Sequence, residues 1–147
     1  DRVEPDGQQD ELGHGLASKN SNNGSFTSGT KTYYWRDAYG SDNAYFQYSL
    51  EVDKSNKNYL FVRYWGSDGP FKKNNVNYTR DFYIYIDDNN LAEQTLNNEK
   101  MNNAYDVFYE IPEEYTKGKD SVTVKFAPKS STNCAGGVIE AELQMMI

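Results

Sequence analysis

Apolar and polar side chains alternate along much of this chain with the period of two that marks a strand buried on one face. In AYFQYSLEV (44–52), Phe46, Tyr48, Leu50 and Val52 oppose Tyr45, Gln47, Ser49 and Glu51. In RDFYIYIDDNNLAEQTL (80–96), Phe82, Ile84 and Ile86 oppose Tyr83 and Tyr85, and a turn at Asp87 to Asn90 leads into a return strand, the pattern of a hairpin. AYDVFYEIP is a strand stopped by Pro112, and SVTVKFAP and GGVIEAELQMMI are alternating strands that run to Ile147. KTYYWRDAY (31–39) is a further strand, while EEYTKGKD (113–120) suits a single helical turn or a loop. Residues 1–30 are rich in Asp, Gly, Asn and Ser, with HGLASKNS their only short strand candidate. Seven or eight short strands separated by turn signals predict an all-β fold, a single antiparallel β-sandwich of jelly-roll type over 31–147. Residues 1–30 form an extended arm packed on it. The alternating registers place Phe46, Tyr48, Leu50, Leu60, Val62, Ile84, Ile86, Val107, Val122, Val124 and Phe126 in the core.

One strand breaks the pattern. In NYLFVRYWG (58–66), Leu60, Val62 and Tyr64 form one apolar face, yet Tyr59, Phe61 and Trp65 form a second, with Arg63 the only charge. Composition sharpens the anomaly: 13 Tyr, 7 Phe and 2 Trp sit in a chain whose mean hydropathy is only -0.91. Its apolar mass is therefore carried by rings with polar edges, which suit strands and suit the C–H faces of sugars. Three arrangements fit the second face: a sugar platform, a dry interface to another domain, or a core position for some of the rings. The platform reading takes Trp65 as the main stacking ring, where the strand gives way to GSDG (66–69) and the glycines admit a ligand. Tyr59, Tyr83 and Tyr85 extend it, joined by Phe61 and Phe108, while Arg63 and Asp68 reach hydroxyls.

Charge and candidate chemistry narrow the function classes. A net charge of -7 without a basic run disfavours nucleic acid and anionic membranes as partners. No apolar segment approaches the roughly 20 residues of a membrane span, the sequence contains no signal peptide, and its start at Asp1 without a methionine suggests an excised module or processed chain. Cys134 is the sole cysteine and His14 the sole histidine, and no nucleophile motif accompanies His14, so neither a triad nor a thiolate zinc cluster is expected. None of the 22 acids is marked as a glycosidase pair, and Asp87 and Asp88 read as turn residues. No cofactor is required. Calcium is the ion the oxygen-rich stretches DGQQDE (6–11), SDNA (41–44) and GSDG (66–69) would suit, although none has EF-hand spacing.

HGLASKNS, WRDA (35–38), AYFQYSLEVDKSNKNYLFVRYWGSDG (44–69) and DVFYEIPEEYTKGKDSVTVKFAPKSSTNCAGGVIEAEL (106–143) together resemble the C-terminal β-sandwich domain that follows the catalytic barrel in bacterial β-L-arabinofuranosidase-type enzymes, glycoside hydrolase family 127 and its relatives. That resemblance implies a module outside the catalytic centre, whose zinc-bound cysteine cluster and glutamate this chain lacks. Trp35, Arg36 and Asp37 are expected to form a structural ring and ion pair. The insert PFKKNNVNYTRD (70–81) departs from the resemblance. The function expected is a non-catalytic carbohydrate-binding module of a secreted plant-polysaccharide-degrading enzyme, extracellular or attached to a cell-surface complex. Its partners would be a cell-wall polysaccharide of hemicellulose or pectin type and the parent enzyme's catalytic domain. The alternative is a structural accessory domain packed on that barrel without a ligand.

Overall fold

The strand patterns close into two facing sheets in the computed structural model, which describes residues 1–145. The elements in chain order are β1 (Arg2–Val3), α1 (Gln9–Gly13), β2 (Ala17–Lys19), β3 (Ser21–Ser28), β4 (Lys31–Ala38), β5 (Tyr45–Glu51) and β6 (Asn58–Trp65). There follow β7 (Phe71–Lys73), β8 (Val76–Ile86), β9 (Asn89–Leu96), β10 (Ala104–Ile111), a 3-10 turn (Glu113–Tyr115), β11 (Ser121–Pro128) and β12 (Asn133–Met145). Met146 and Ile147, the end of the last predicted strand, lie outside the described residues.

The front sheet runs β3-β4-β12-β6-β10, with β1 beside the second half of β12. The back sheet runs β9-β8-β11-β5-β2. Strand β12 begins next to the back sheet, where Asn133 and Cys134 run parallel to Thr79 and Arg80 of β8, and then crosses into the front sheet. Tight turns with two residues at positive φ close the hairpins: Asn74-Asn75 between β7 and β8, and Asp87-Asp88 between β8 and β9. The insert at 70–81 is therefore a short hairpin leading into β8, and Asp87 is turn chemistry, its carboxylate accepting from Thr123 N–H at 2.7 Å and from Lys119 Nζ at 2.8 Å.

The alternating registers meet as expected. Phe46, Tyr48, Leu50, Phe82, Ile84, Ile86, Val122, Val124 and Phe126 from the back sheet face Leu60, Val62, Tyr64, Ile111, Ala141 and Leu143 from the front, all buried. Val107 joins them but is only partly covered, because β10 is the edge strand.

Residues 1–30, expected as an arm laid on the sandwich, instead contribute strands to both sheets and one helical turn. Strand β2 falls within HGLASKNS, the short strand expected from the sequence, whereas β3 escapes patterning because none of its side chains is fully buried and it shows no apolar alternation. What ties them down is a buried charge. Glu11 of α1 is fully buried and receives Arg36 Nε and Nη2 at 2.5 and 2.9 Å, together with the Tyr48 hydroxyl at 2.5 Å. Arg36 Nη1 also donates to Ser21 Oγ at 2.8 Å. The bidentate geometry and the added hydroxyl satisfy both ions inside the protein.

Candidate functional site

Strand β4 alternates, so with Arg36 and Ala38 turned inward, Trp35 and Asp37 point to the other side. Arg36 thus pairs with Glu11, and Asp37 is left for a different environment. Trp35 lies flat across Gly24 of the paired strand β3, where a Cβ would stand 2.7 Å from the indole. Trp65 ends β6 on the same outer face. The β3–β4 hairpin pairs with β12 only through Arg36 to Ala38, and its outer half stands clear of the sheet. From there Phe26 and Tyr33 reach Trp65, with ring centroids at 4.8 and 5.4 Å.

Asp68 is supplied by the turn after β6. This turn is clamped to the loop before β10: Gly66 N–H donates to Asn103 O at 2.7 Å, and Asn98 N–H donates to Asp68 O at 2.8 Å. A Cβ on Gly66 would lie 1.9 Å from Lys100 O. That glycine serves backbone packing, not the admission of a ligand expected from the sequence. Arg80 of β8 enters from behind. Its Nε and Nη1 donate to Gly69 O at 2.8 Å and Gly136 O at 2.9 Å, its guanidinium lies over Phe71 at 4.8 Å, and Nη1 stands 3.9 Å from Asp68 Oδ2.

These groups enclose a cleft of about 220 Å³ lined by Phe26, Trp35, Asp37, Trp65, Asp68 and Arg80, with Gly137 and Ile139 of β12. Burial pushes the Asp37 carboxyl up to about 6, against the downward pull of Arg80 and of the Asn22 amide. Asp68 is raised as well, by burial, partly offset by Arg80 and by the Gly137 N–H. Two indoles, two carboxylates and a guanidinium in a small cavity can stack an apolar ring face and bond hydroxyls at its edge.

A stability consequence follows from Asp37. The folded protein holds its proton to a higher pH than the unfolded chain, so stability is greatest below the unfolded value near 3.8 and falls as pH rises to about 6. Asp37→Asn is expected to flatten that fall and to raise stability at pH 7 by on the order of 1–3 kcal/mol. Urea denaturation of both proteins at pH 4, 6 and 7.5 checks it. Equal slopes with pH would discount the buried carboxylate.

The sequence-predicted platform is not brought together. Trp65 and Asp68 line the cleft. Arg63 is two residues up the same face, where Asp106 holds its Nε and Nη2 at 2.8 and 3.1 Å. Tyr59 is at the other end of β6, about 20 Å along the strand from Trp65. Tyr83 and Tyr85 are on the outer face of the back sheet, paired with each other at 5.9 Å under Lys129 and Lys125. The reason is topological: β6 and β8 belong to opposite sheets, so their outward residues face opposite ways. Phe108 does neighbour Phe61, at 4.4 Å. The residues the sequence reading missed are Phe26, Trp35, Asp37 and Arg80. Alternation within YYWRDA carried a signal for two of them, since it sets Trp35 and Asp37 on the face opposite Arg36.

The oxygen-rich stretches are otherwise engaged. Asp6 accepts the N–H groups of Gln8 and Asp10 at 3.0 Å each, Glu11 is held by Arg36, Ser41 Oγ accepts Asn43 N–H at 3.1 Å, and Asp68 faces Arg80. Among the described residues, no three carboxylate, imidazole or thiolate side chains converge as a metal site.

Solved structures share the fold. A family 35 carbohydrate binding module from Clostridium thermocellum superposes with a TM-score of 0.67 at 9% identity, covering 97% of each chain. The CBM35 module from Paenibacillus barcinonensis gives 0.65 at 8% identity and 99% coverage of both chains. The carbohydrate-binding module CBM36 in complex with calcium and xylotriose gives 0.53 at 13% identity, covering 98% of this chain and 99% of that one. The β-sandwich is therefore that of carbohydrate-binding modules. No curated protein matches the chain in sequence. The profile of a family of unknown function, DUF6805, matches residues 1–143, and the chain belongs to that family.

Proposed function

We propose that this chain is a non-catalytic carbohydrate-binding module, and that the cleft between Trp35, Trp65, Asp37 and Asp68 receives the sugar. The observation that carries the reading is the meeting of two indoles and two carboxylates in one cavity, on a sandwich shared with family 35 and family 36 modules. A sugar ring presents an apolar C–H face to an indole and its hydroxyls to acceptors at the rim, and a cleft built this way needs no bond-breaking group. The parent protein is a secreted bacterial enzyme that degrades plant polysaccharide of the hemicellulose or pectin type, as the resemblance to the arabinofuranosidase-appended domain implies.

One observation favours a second reading, an accessory domain seated on a catalytic barrel. Phe108 is 63% exposed and touches Phe61 on the outer front face, away from the cleft. Native affinity electrophoresis against xylans, arabinans, pectins and β-glucans separates the two. Retardation of the protein by at least one polysaccharide is expected. Unchanged mobility in all of them leaves the accessory-domain reading.

A further inference from the structure

Folding alone does not account for the Asp37 carboxylate. The residue is 7% exposed, yet Arg36 turns to the opposite face and pairs with Glu11, and Arg80 stands at 3.9 Å from Asp68. Among the described residues its side-chain partner is the Asn22 amide, at 3.4 Å. Among the described residues no cation hydrogen-bonds to this buried carboxylate, and the guanidinium that acts on it most, Arg80, is shared with a second carboxylate lining the same cavity. Arg80 balances them poorly as a ligand-binding group. Two of its five N–H groups, on Nε and Nη1, already donate to backbone carbonyls, so its Nε–Nη2 edge cannot grip an incoming carboxylate with two bonds. The cleft is thus rich in acceptors and short of donors. At about 220 Å³ it also falls below the roughly 300–1,000 Å³ of pockets for larger ligands.

We infer that the cleft selects a single uncharged sugar residue, whose adjacent hydroxyls donate to Asp37 and Asp68 while its C–H face lies on Trp35 or Trp65, and that it rejects sugars bearing a carboxylate. The inference rests on the carbohydrate-binding reading above and adds a substrate class: neutral residues at chain ends or side branches, not uronic acids. A uronate would set a third negative charge beside one buried and one half-buried carboxylate that share a single guanidinium, and like-charge juxtaposition of that kind discriminates between ligands.

The acceptor role also gives a pH dependence. The charged and titratable groups around Asp37 are Arg80, Asp68 and Arg36, with Cys134 and Tyr39 beside it. A ligand that donates to the ionised carboxylate loses affinity as pH falls through about 6, by up to about tenfold per pH unit.

Isothermal titration calorimetry tests this with the methyl glycosides of arabinofuranose, xylopyranose, galactopyranose and glucopyranose, and with methyl glucuronide and methyl galacturonide, at pH 7.5 and pH 5. At least one neutral glycoside is expected to bind, more than about tenfold tighter than either uronide at pH 7.5, and to weaken at pH 5. In Asp37→Asn the pH effect should shrink, leaving the part carried by Asp68, and the gap to the uronides should shrink by about tenfold. A uronide that binds as well as the best neutral sugar at pH 7.5 overturns the inference and leaves the carbohydrate-binding reading standing. If none of the six binds, the single-residue inference falls, and the carbohydrate-binding reading falls with it only if no polysaccharide retards the protein.

Discussion

Replacing Glu11 by alanine is expected to destabilise the domain by about 3–5 kcal/mol, the usual cost of stranding one partner of a buried ion pair. The carboxylate is fully buried and takes both Arg36 nitrogens and the Tyr48 hydroxyl. Removing it leaves a guanidinium and a phenol inside the sandwich without their acceptor. The damage should reach the cleft, because Arg36 lies between Trp35 and Asp37 on β4 and fixes that strand against α1. Chemical denaturation measures the loss. The double variant Glu11→Leu with Arg36→Met should recover much of it, since a well-packed apolar pair can replace a buried ion pair. A loss below about 1 kcal/mol in Glu11→Ala would mean that the network is not what holds the first 30 residues to the sandwich.

Trp65→Ala should weaken glycan binding by about ten- to a hundredfold, corresponding to about 1–3 kcal/mol for one stacking ring. Trp65 is only half-buried, and the core of β6 is built from Leu60, Val62 and Tyr64 on its other face, so the fold should persist. Circular dichroism and the urea midpoint verify that. Tyr83→Ala is the matched control: its ring lies on the outer face of the back sheet, and affinity for the cleft ligand should not change. Unaltered binding by Trp65→Ala would move the site elsewhere. A reversed result, with Tyr83→Ala weak and Trp65→Ala normal, would move it to the back face.

The difference between those two tyrosine and tryptophan positions also marks where sequence patterning stops being informative. Phe46, Ile84 and Val124 declare their burial locally, because each strand alternates by itself and needs no knowledge of its neighbours. Which outward residues share a surface depends instead on strand order, and that order is non-local: β6 pairs with β10 and β12, whereas β8 pairs with β9 and β11. Tyr83 and Trp65 look equivalent in sequence and end on opposite sides of the molecule. The cleft is harder still to anticipate, since Trp35, Asp68, Arg80 and Gly137 come from four separate parts of the chain. Strand β3 was invisible for a different reason: SNNGSFTS keeps its side chains largely in water, so burial leaves no imprint on its sequence.

Strand β12 also governs the order in which this domain can be made. It contacts β8 of the back sheet at its start and β4, β6 and β1 of the front sheet farther along, yet it is synthesised after every strand it pairs with. Until it is present, among the described residues no strand pairing joins β4 to β6, and β1 has no strand to pair with. A nascent chain lacking residues 133–145 can close the β5, β8, β9 and β11 pairings, but it leaves β6 with one edge unpaired. Such an edge is the surface through which incomplete β proteins associate. Pairing of the front sheet therefore waits on residues 133–145. Loss of the final strand should yield aggregation during synthesis, not a smaller soluble domain.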